Sequence, residues 1–431
     1  MDLESLHRAH IAEVSRGTAA ALEAAGFAAL LIHSGTPLKR TLADDNFWPL
    51  RPTPHFHHWL PLQEAGCTLV IVPGRKPRLF RPAEQNIWEA PAPPESNHFW
   101  NAFEVSAGGP EVPAGRVAFV GDDLGGAAAL GIEEGAVNPP GLIAALDQLR
   151  VRKTAYEIEC LAEANRRAAR GHEELRQLFQ QGDRAELELH LAFLGKTRQD
   201  DAETPYKNIV ALGKHAATLH HIAYQKRAQP AQSMLVDAGA GFAGYGSDIT
   251  RTWVKGGGAA ASAFAELVAG LEAMQQRLCG MVRIGVPYEE LHDESHRQAA
   301  EVLHAVGISK LPADALVARG VTRAFYPHGL GHSLGLQVHD VGCGLQPPRK
   351  DNPFLRNTTR IARDQVFTIE PGIYFIDALL LPLRGSPDLD WKLIDALSEL
   401  GGVRIEDDIV VLEKGIRNLT REALPRGGGV A

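Results

Sequence analysis

Residues 234–254 (MLVDAGAGFAGYGSDITRTWV) contain two strand-forming runs joined by a glycine-rich connection, and they constrain the fold more than any other segment. The first run is apolar and the second is β-branched and aromatic, so the pattern predicts a β-hairpin. Asp237 closes the first strand and Asp248 opens the second, which lets the two carboxylates converge on one point. Carboxylates held that close repel each other strongly unless a cation lies between them. The hairpin therefore predicts a metal site.

The same segment contains a GxGxxG pattern, formed by Gly239, Gly241 and Gly244, which is typical of dinucleotide-binding sites. That fingerprint must open a helix whose N-terminus holds the pyrophosphate, whereas these glycines lead into residues 247–254, which have strand composition. The context therefore argues against a nucleotide site. The other alternative for the two aspartates is a solvated turn without a ligand, so the metal hypothesis requires further ligands elsewhere in the chain.

The length of 431 residues exceeds what one ordinary hydrophobic core supports, so two domains are predicted. The net charge of −8, without a Lys/Arg cluster, argues against nucleic-acid binding. No apolar run approaches the ~18 residues of a membrane span, and residues 1–14 lack the apolar region of a secretion signal, so we expect no membrane partner and a cytoplasmic location. The cysteines form no CxxC pair and are predicted to be reduced, packed thiols: Cys67, Cys160, Cys279 and Cys343.

The composition changes near residue 150, where we place a domain boundary. Residues 1–150 are predicted to form a smaller α/β domain whose first helix ends at Gly26. Its predicted helix and strands cover residues 6–25, 27–32, 68–72 and 117–120. Residues 44–59 are rich in proline, aromatic residues and histidine, which favours a structured surface loop over a metal cluster.

Residues 151–431 are predicted to combine strands and hairpins with amphipathic helices, which makes the chain an α+β protein. Asp183, with Glu186 three residues later, predicts a capping box at the start of one helix. Pro287 is expected near the start of a later helix that Gly307 ends. Residues 427–431 are expected to fray.

Three further segments contain potential metal ligands. Residues 326–342 are rich in histidine and glycine, residues 366–374 place a carboxylate after a strand-like run, and residues 401–411 alternate charged side chains on one strand face. Each segment alone is weak evidence, but a carboxylate at an inward-facing strand end is costly to bury without a partner. The candidates are His328, His332, His339, Glu370, Arg404, Glu406 and Asp408.

The donor chemistry of these candidates favours a particular kind of ion. Four carboxylates offset two divalent cations in formal charge. Mainly oxygen ligands with one imidazole favour Mn(II), or a similar hard-to-borderline ion, over a thiolate-type zinc site.

The order Asp-x10-Asp, GxGHxxGLxxHD, TIEPGIY and RIED resembles the pita-bread metallopeptidases, the superfamily of methionine aminopeptidase, aminopeptidase P, prolidase and creatinase. Within it, residues 44–52, 205–221 and 376–400 are similar to bacterial Xaa-Pro dipeptidases, also called prolidases. The resemblance covers nearly the whole chain. It implies an N-terminal α/β domain followed by a pita-bread catalytic domain. All the metal ligands are present, which argues against the metal-free creatinase branch.

Carried over by position, the resemblance implies roles for specific residues. The implied ligands of two divalent ions, Mn(II) with Co(II) or Zn(II) as alternatives, are Asp237, Asp248, His332, Glu370 and Glu406, with Asp248 and Glu406 bridging. The residues implied around the substrate and its proton path are His220, His328 and His339, with Tyr206 and Arg384 lining the pocket. Arg404 lies two residues before Glu406 and so on the same side of the strand, where it is expected to steady the carboxylates. Where relatives often have His-Tyr, this chain has His220-His221.

The activity that the resemblance implies is hydrolysis of Xaa-Pro dipeptides by a hydroxide held between two metal ions, with release of proline. Glu370 would transfer the proton to the proline nitrogen. Asp44 or Asp45 would meet the substrate ammonium, reaching in from the partner subunit of a homodimer. Two alternatives are kept: an aminopeptidase P-like enzyme that accepts longer peptides, and a catalytically silent pita-bread protein that only binds partners.

Overall fold

The computed structural model describes residues 2–83, 93–342 and 347–430. The chain divides into two compact units, Met1–Glu157 and Ile158–Ala431. The division lies a few residues after the predicted boundary near residue 150, within the helix Ala155–Gln181.

The first unit is built on a five-stranded mixed sheet in the order β4-β3-β2-β1-β5. Its elements are α1 (Leu3–Ala25), β1 (Ala29–His33), α2 (Pro54–His57), β2 (Thr68–Ile71), β3 (Arg78–Arg81), β4 (Glu104–Ala107), β5 (Val117–Val120), α3 (Leu124–Ala129) and α4 (Pro140–Val151). The predicted end of the first helix is confirmed: Gly26 has a φ of 72°, a left-handed conformation that glycine adopts without strain. Strand β1 is buried along its whole length, which fits its uninterrupted apolar sequence.

The second unit contains four sheets, in the orders β16-β10-β7-β6, β11-β14-β15, β12-β13 and β8-β9. Its helices are α5 (Ala155–Gln181), α6 (Glu186–Thr197), α7 (Ala259–Met281), α8 (Tyr288–Ala305), α9 (Ala313–Ala318), α10 (Thr322–Phe325), α11 (Asp377–Leu380), α12 (Trp391–Ser398) and α13 (Leu419–Ala423). Its strands are β6 (Ile209–Leu212), β7 (Ser233–Asp237), β8 (Gly241–Phe242), β9 (Tyr245–Gly246), β10 (Thr250–Val254), β11 (Val366–Ile369), β12 (Gly372–Tyr374), β13 (Gly402–Arg404), β14 (Asp407–Val411), β15 (Ile416–Asn418) and β16 (Gly429–Val430).

The largest apolar core of this unit packs helices α7 and α8 together, with α7 also contacting β11 and β13. The i, i+3, i+4 spacing of apolar residues in α7 places one face of the helix in this core, including the fully buried Phe264, Leu267 and Leu271. The predicted α+β layout is confirmed.

The predicted hairpin is confirmed as the antiparallel pair β7 and β10, in which Asp237 lies opposite Thr250. The short ribbon of β8 and β9 occupies the connection between them. Gly239 is required there, because a Cβ at this position would lie 2.0 Å from the carbonyl oxygen of Ser247. The glycines therefore allow close backbone approach within a strand connection, and no helix follows them.

Two local predictions in this unit were wrong. Helix α6 begins at Glu186 after Ala185, whose backbone N–H donates to Glu188 Oε2 at 3.0 Å, so Glu188 takes the reciprocal role assigned to Glu186. Fraying was predicted for residues 427–431, but Gly429 and Val430 form β16, which pairs in parallel with Trp253 and Val254 of β10, and Ala431 lies outside the described residues. This pairing satisfies backbone groups that the edge of β10 would otherwise leave open.

The cysteine prediction is confirmed for three residues, since Cys67, Cys160 and Cys279 are buried and form no disulfide within the described residues. Cys343 lies outside the described residues. Among the described helices, we find none that is both long and apolar enough to cross a membrane.

Candidate metal centre

The five predicted ligands come from separate elements of the second unit. Asp237 is the last residue of β7, Asp248 lies two residues before β10, and Glu370 directly follows β11. The other two come from connections, His332 before β11 and Glu406 between β13 and β14.

These elements bring the side chains together. Donor atoms of Asp248, His332 and Glu406 all lie within 4.8 Å of one another. His332 Nε2 is 3.3 Å from Asp248 Oδ2, 3.7 Å from Glu370 Oε1 and 4.0 Å from Glu406 Oε1. Asp237 is placed beside this group by the register of β7 and β10, because its partner Thr250 also forms a bridge with Glu406.

One carboxylate oxygen at this centre lacks a partner. Asp237 Oδ2 accepts a hydrogen bond from Arg404 Nη2 at 2.5 Å, whereas Asp237 Oδ1 is buried without a hydrogen-bond partner in the described part of the chain. Burying a carboxylate oxygen without a partner is costly, and a cation would remove that cost. The residues present therefore fit a bound metal ion.

The electrostatics of the ligands support the same conclusion. Burial raises the pKa of Glu370 to about 7, and burial together with the neighbouring carboxylates raises the pKa values of Asp237 and Glu406. For Asp248, burial is outweighed by the hydrogen bond and charge of His332, which lower its pKa. The Asp248 carboxylate in turn raises the pKa of His332 to about 9 against the effect of burial. The protein alone supplies too little positive charge to neutralise this cluster.

The donor set indicates the class of ion. Four carboxylates and one imidazole, without a thiolate, suit hard or borderline divalent ions that prefer oxygen ligands. Asp237, Asp248, His332, Glu370 and Glu406 would hold them.

Arg404 connects several of the ligands. Besides Asp237, it donates to the Tyr374 hydroxyl at 2.8 Å and to Thr250 Oγ1 at 3.1 Å. Thr250 Oγ1 donates in turn to Glu406 Oε2 at 2.6 Å. Tyr374 closes the predicted motif at residues 366–374, but its contact with Arg404 was not predicted, because the motif alone does not show where the phenol points.

Three histidines lie around the ligand cluster. His328 Nε2 is 2.9 Å from the Tyr374 hydroxyl, and His328 Nδ1 is 3.8 Å from Glu370 Oε2. The ring of His339 packs edge-on against His332, with centroids 4.4 Å apart. Desolvation lowers the pKa of His328 to about 3 and that of His339 to about 4, and the charge of His220 contributes to both. His328 and His339 are therefore neutral at pH 7, and His220 lies near them.

Tyr206 contacts one of the candidate ligands, and its assignment to the substrate pocket stays a prediction. Its hydroxyl donates to Asp248 Oδ1 at 2.5 Å, so it orients a candidate ligand. The histidine that replaces the usual tyrosine, His221, instead binds the Glu186 carboxylate at 2.8 Å through Nε2. A phenol hydroxyl therefore does order this site, and it comes from another position in the chain.

Arg384, Asp44 and Asp45, which were predicted to contact the substrate, lie at the protein surface. Arg384 pairs with Asp395 at 2.6 Å and lies over the Trp391 ring, and none of its contacts within the described residues is with a candidate ligand. Asp44 is half-buried and Asp45 is exposed, and Asp44 Oδ1 accepts from the backbone N–H of Asn46 at 2.9 Å. Their assignment to the substrate stays a prediction.

Arg356 is a further cation near the site that the sequence did not single out. It is exposed, and its charge contributes to the lowered pKa of His339. It lies in a segment without strong periodicity, where nothing in the local pattern distinguishes it from other surface arginines.

The raised carboxyl pKa values predict a pH dependence for the metal-free protein. A carboxyl group whose pKa rises on folding costs stability above its unfolded pKa, and the cost grows until the pH passes the folded pKa. For Glu370, the rise from 4.5 to about 7 corresponds to roughly 3 kcal/mol. We therefore expect the free energy of unfolding of metal-stripped protein, measured by urea titration, to fall between pH 5 and pH 7.5. The E370Q variant should show a smaller fall, and an identical pH profile in both proteins would contradict this account.

Comparison with known proteins defines the class. The sequence model of metallopeptidase family M24 matches residues 159–413, which contain all five candidate ligands, and the model of the Xaa-Pro dipeptidase N-terminal domain matches residues 5–148. Proteins described as Xaa-Pro dipeptidase from Marinobacter nauticus and Pseudoalteromonas atlantica are 42% and 38% identical to this chain. The matches cover 98% and 97% of this chain and 99% and 98% of those relatives. The chain thus belongs to the Xaa-Pro dipeptidases of metallopeptidase family M24.

Solved structures agree with the fold. Proline aminopeptidase P II from Yersinia pestis is 23% identical, with a TM-score of 0.70 over 96% of each chain. Aminopeptidase P from E. coli with the inhibitor Pro-Leu is 21% identical, with a TM-score of 0.69 over 96% of this chain and 95% of that one. At these identities the likeness shows the fold alone. It confirms an N-terminal α/β domain followed by a pita-bread catalytic domain.

Proposed function

We propose that this enzyme hydrolyses Xaa-Pro dipeptides and releases free proline at a centre that binds two divalent metal ions, with Mn(II) as the expected ion and Co(II) or Zn(II) as alternatives. The observation that carries the proposal is the convergence of four carboxylates and one imidazole, one of whose buried oxygens has no partner within the described residues. The nearly full-length similarity to Xaa-Pro dipeptidases supports the substrate class.

The substrate bond is a tertiary amide without an N–H, so a protease that grips an extended backbone has one contact fewer at this bond. When bound, divalent ions polarise a carbonyl group and lower the pKa of water. The proline nitrogen must then gain a proton before it can leave. We assign this transfer to Glu370, because its buried carboxyl group lies beside the candidate ligands, 3.7 Å from His332 Nε2 and 3.8 Å from His328 Nδ1.

His339 stabilises the developing oxyanion in this proposal, because it is neutral at pH 7 and a neutral imidazole can donate one N–H. His328 donates its single N–H, on Nδ1, to the carbonyl oxygen of Gly329 at 2.8 Å, so its Nε2 accepts from the Tyr374 hydroxyl and holds that phenol in place. Arg404 holds Asp237 and, through Thr250, steadies Glu406. These contacts keep the carboxylates in place without placing Arg404 on the substrate.

The substrate length separates the proposal from its nearest rival. Purified protein is stripped of metal, reloaded with Mn(II) and assayed against Ala-Pro, Leu-Pro and Xaa-Pro-Xaa tripeptides. Metal-dependent cleavage of the dipeptides alone supports the proposal. Cleavage of the tripeptides would assign the enzyme to the aminopeptidase P-like alternative, and cleavage of neither would support a silent binding protein.

Asp44 and Asp45 are proposed to bind the substrate ammonium from the partner subunit of a homodimer. Loss of a charge-assisted hydrogen bond costs about 1.5–3 kcal/mol, so D44A or D45A is expected to lower kcat/KM for Ala-Pro by roughly 10- to 100-fold. Substitution of the exposed Glu133 in the same unit, E133A, is the control. An unchanged kcat/KM for Ala-Pro in both variants, or a monomeric active enzyme in sedimentation, would remove this assignment.

Arg384 is proposed to line the substrate pocket and to meet the free carboxylate of the dipeptide. It would have to exchange its pairing with Asp395, at 2.6 Å, for the substrate. The R384A variant is expected to raise KM for Ala-Pro by roughly 10- to 100-fold, because a charge-assisted hydrogen bond is lost. An unchanged KM in R384A would remove this assignment.

A further inference from the structure

The side chain of Glu186, the first residue of α6, is fully buried and accepts four hydrogen bonds. Oε1 accepts from the backbone N–H of Leu212 at 3.0 Å and from His215 Nδ1 at 2.7 Å. Oε2 accepts from His221 Nε2 at 2.8 Å and from the backbone N–H of Gln225 at 2.8 Å. One buried carboxylate therefore holds the two ends and the middle of a single loop.

We call residues 212–225 the His220 loop. The bonds from this loop outweigh burial and lower the pKa of Glu186 to about 2, so its carboxylate is ionised and can only accept hydrogen bonds. His215 and His221 must each donate an N–H, and their rings stack with centroids 4.6 Å apart. Two backbone and two imidazole donors occupy the four acceptor directions of the Glu186 carboxylate. Its hydrogen-bonding capacity is therefore filled without a cation.

The loop carries His220 toward the metal centre. His220 directly precedes His221, and it lies close enough to His328 and His339 to influence the pKa of both rings. Its ring is exposed and forms no hydrogen bond or ion pair with another residue in the ranges 2–83, 93–342 and 347–430. The position of the His220 ring is therefore set by the backbone of the loop.

We propose that Glu186 is a positioning residue that, through His221 and the loop backbone, holds His220 at the metal centre. The effect that this positioning has on turnover rests on the proposed dipeptidase function. A histidine with no side-chain partner within the described residues needs a rigid backbone to keep its place. The buried carboxylate supplies this rigidity, and it does so through the histidine that replaces the tyrosine of many relatives.

The kinetic test compares substitutions of His221, with kcat and KM measured for Ala-Pro in the Mn(II)-loaded enzyme. H221L removes the N–H donor and is expected to lower kcat about tenfold, as residues that orient a site commonly do, with KM nearly unchanged. H221Q keeps an N–H donor of similar reach and should restore most of the rate. In an H220A background, H221L should cause no further loss, because both substitutions remove the same positioned ring.

Glu188 provides the matched control on the same helix. It is exposed and only accepts from the backbone N–H of Ala185, so E188Q should leave kcat unchanged. Additive losses for H220A and H221L, or equal losses for H221L and H221Q, would overturn the proposal.

Amide hydrogen exchange tests the same inference without relying on activity. In the Mn(II)-loaded E186Q protein, the amides of residues 212–225 should exchange at least about tenfold faster than in the unsubstituted protein, whereas E188Q should not change them. Unchanged exchange in E186Q would contradict the role of Glu186. If the unsubstituted protein cleaves no dipeptide, the proposed function fails, and the exchange result still decides whether Glu186 holds the loop.

Discussion

The E406Q variant is expected to lose its metal ions and nearly all of its dipeptidase activity, while its metal-free form becomes more stable than that of the unsubstituted enzyme. Loss of the ions removes several kcal/mol of transition-state charge stabilisation. We therefore expect kcat to fall by roughly 10³-fold. In the metal-free protein, burial and three neighbouring carboxylates raise the pKa of Glu406, so above the pKa of this carboxyl group in the unfolded chain it lowers the free energy of unfolding. The amide oxygen of glutamine can still accept from Thr250, so the substitution removes charge and retains this contact.

We expect the metal-free E406Q protein to be more stable by roughly 1–3 kcal/mol at pH 7, measured by urea unfolding. The matched control is E413Q, because the side chain of Glu413 is 76% exposed and 3.8 Å from Arg363. Metal content by elemental analysis and kcat for Ala-Pro complete the measurement. Full metal occupancy with unchanged turnover in E406Q would contradict the assignment of Glu406 as a ligand.

The E370Q variant is expected to lower kcat for Ala-Pro by about 10²- to 10⁴-fold, the range typical of a lost acid–base group. Glu370 lies 3.7 Å from His332 and 3.8 Å from His328, so its carboxyl group can exchange a proton beside the candidate ligands. Glutamine has nearly the same shape but cannot take up the proton. Because Glu370 is also a candidate ligand, metal content must be measured on the same sample.

The two roles of Glu370 have separate signatures. Loss of metal together with activity indicates the ligand role, and loss of kcat with both ions retained indicates the proton-transfer role. The comparison variant is E399Q, since the side chain of Glu399 is 73% exposed and only 3.9 Å from Lys214. Full turnover by E370Q with both ions bound would remove Glu370 from the mechanism.

The sequence predicted the hairpin and the five candidate ligands because these features are local. Strand composition with intervening glycines places Asp237 and Asp248 on paired strands, whatever the rest of the chain does. Glu370 and Glu406 lie at strand ends, where the alternation of side chains fixes the direction in which they point. The convergence of all five side chains depends on tertiary packing. It could be predicted only because the order of the motifs resembles that of the pita-bread metallopeptidases.

Features that depend on distant packing were predicted poorly. Glu186 matched a capping pattern, but the nearby loop offers its carboxylate four donors, and that burial competes with capping. Residues 427–431 are rich in glycine and predict no strand, but Gly429 and Val430 pair with the edge of β10, a contact that no local pattern shows. Tyr206 and Tyr374 reach the centre from positions whose side-chain directions no local pattern determines.

The most direct test of the account is a titration of metal-stripped enzyme with Mn(II), following bound metal and Ala-Pro cleavage on the same samples. The account predicts that cleavage is absent without metal and reaches its maximum when two ions are bound per chain. Full cleavage by the stripped enzyme, or maximal cleavage with a single bound ion, would contradict a dinuclear centre formed by Asp237, Asp248, His332, Glu370 and Glu406.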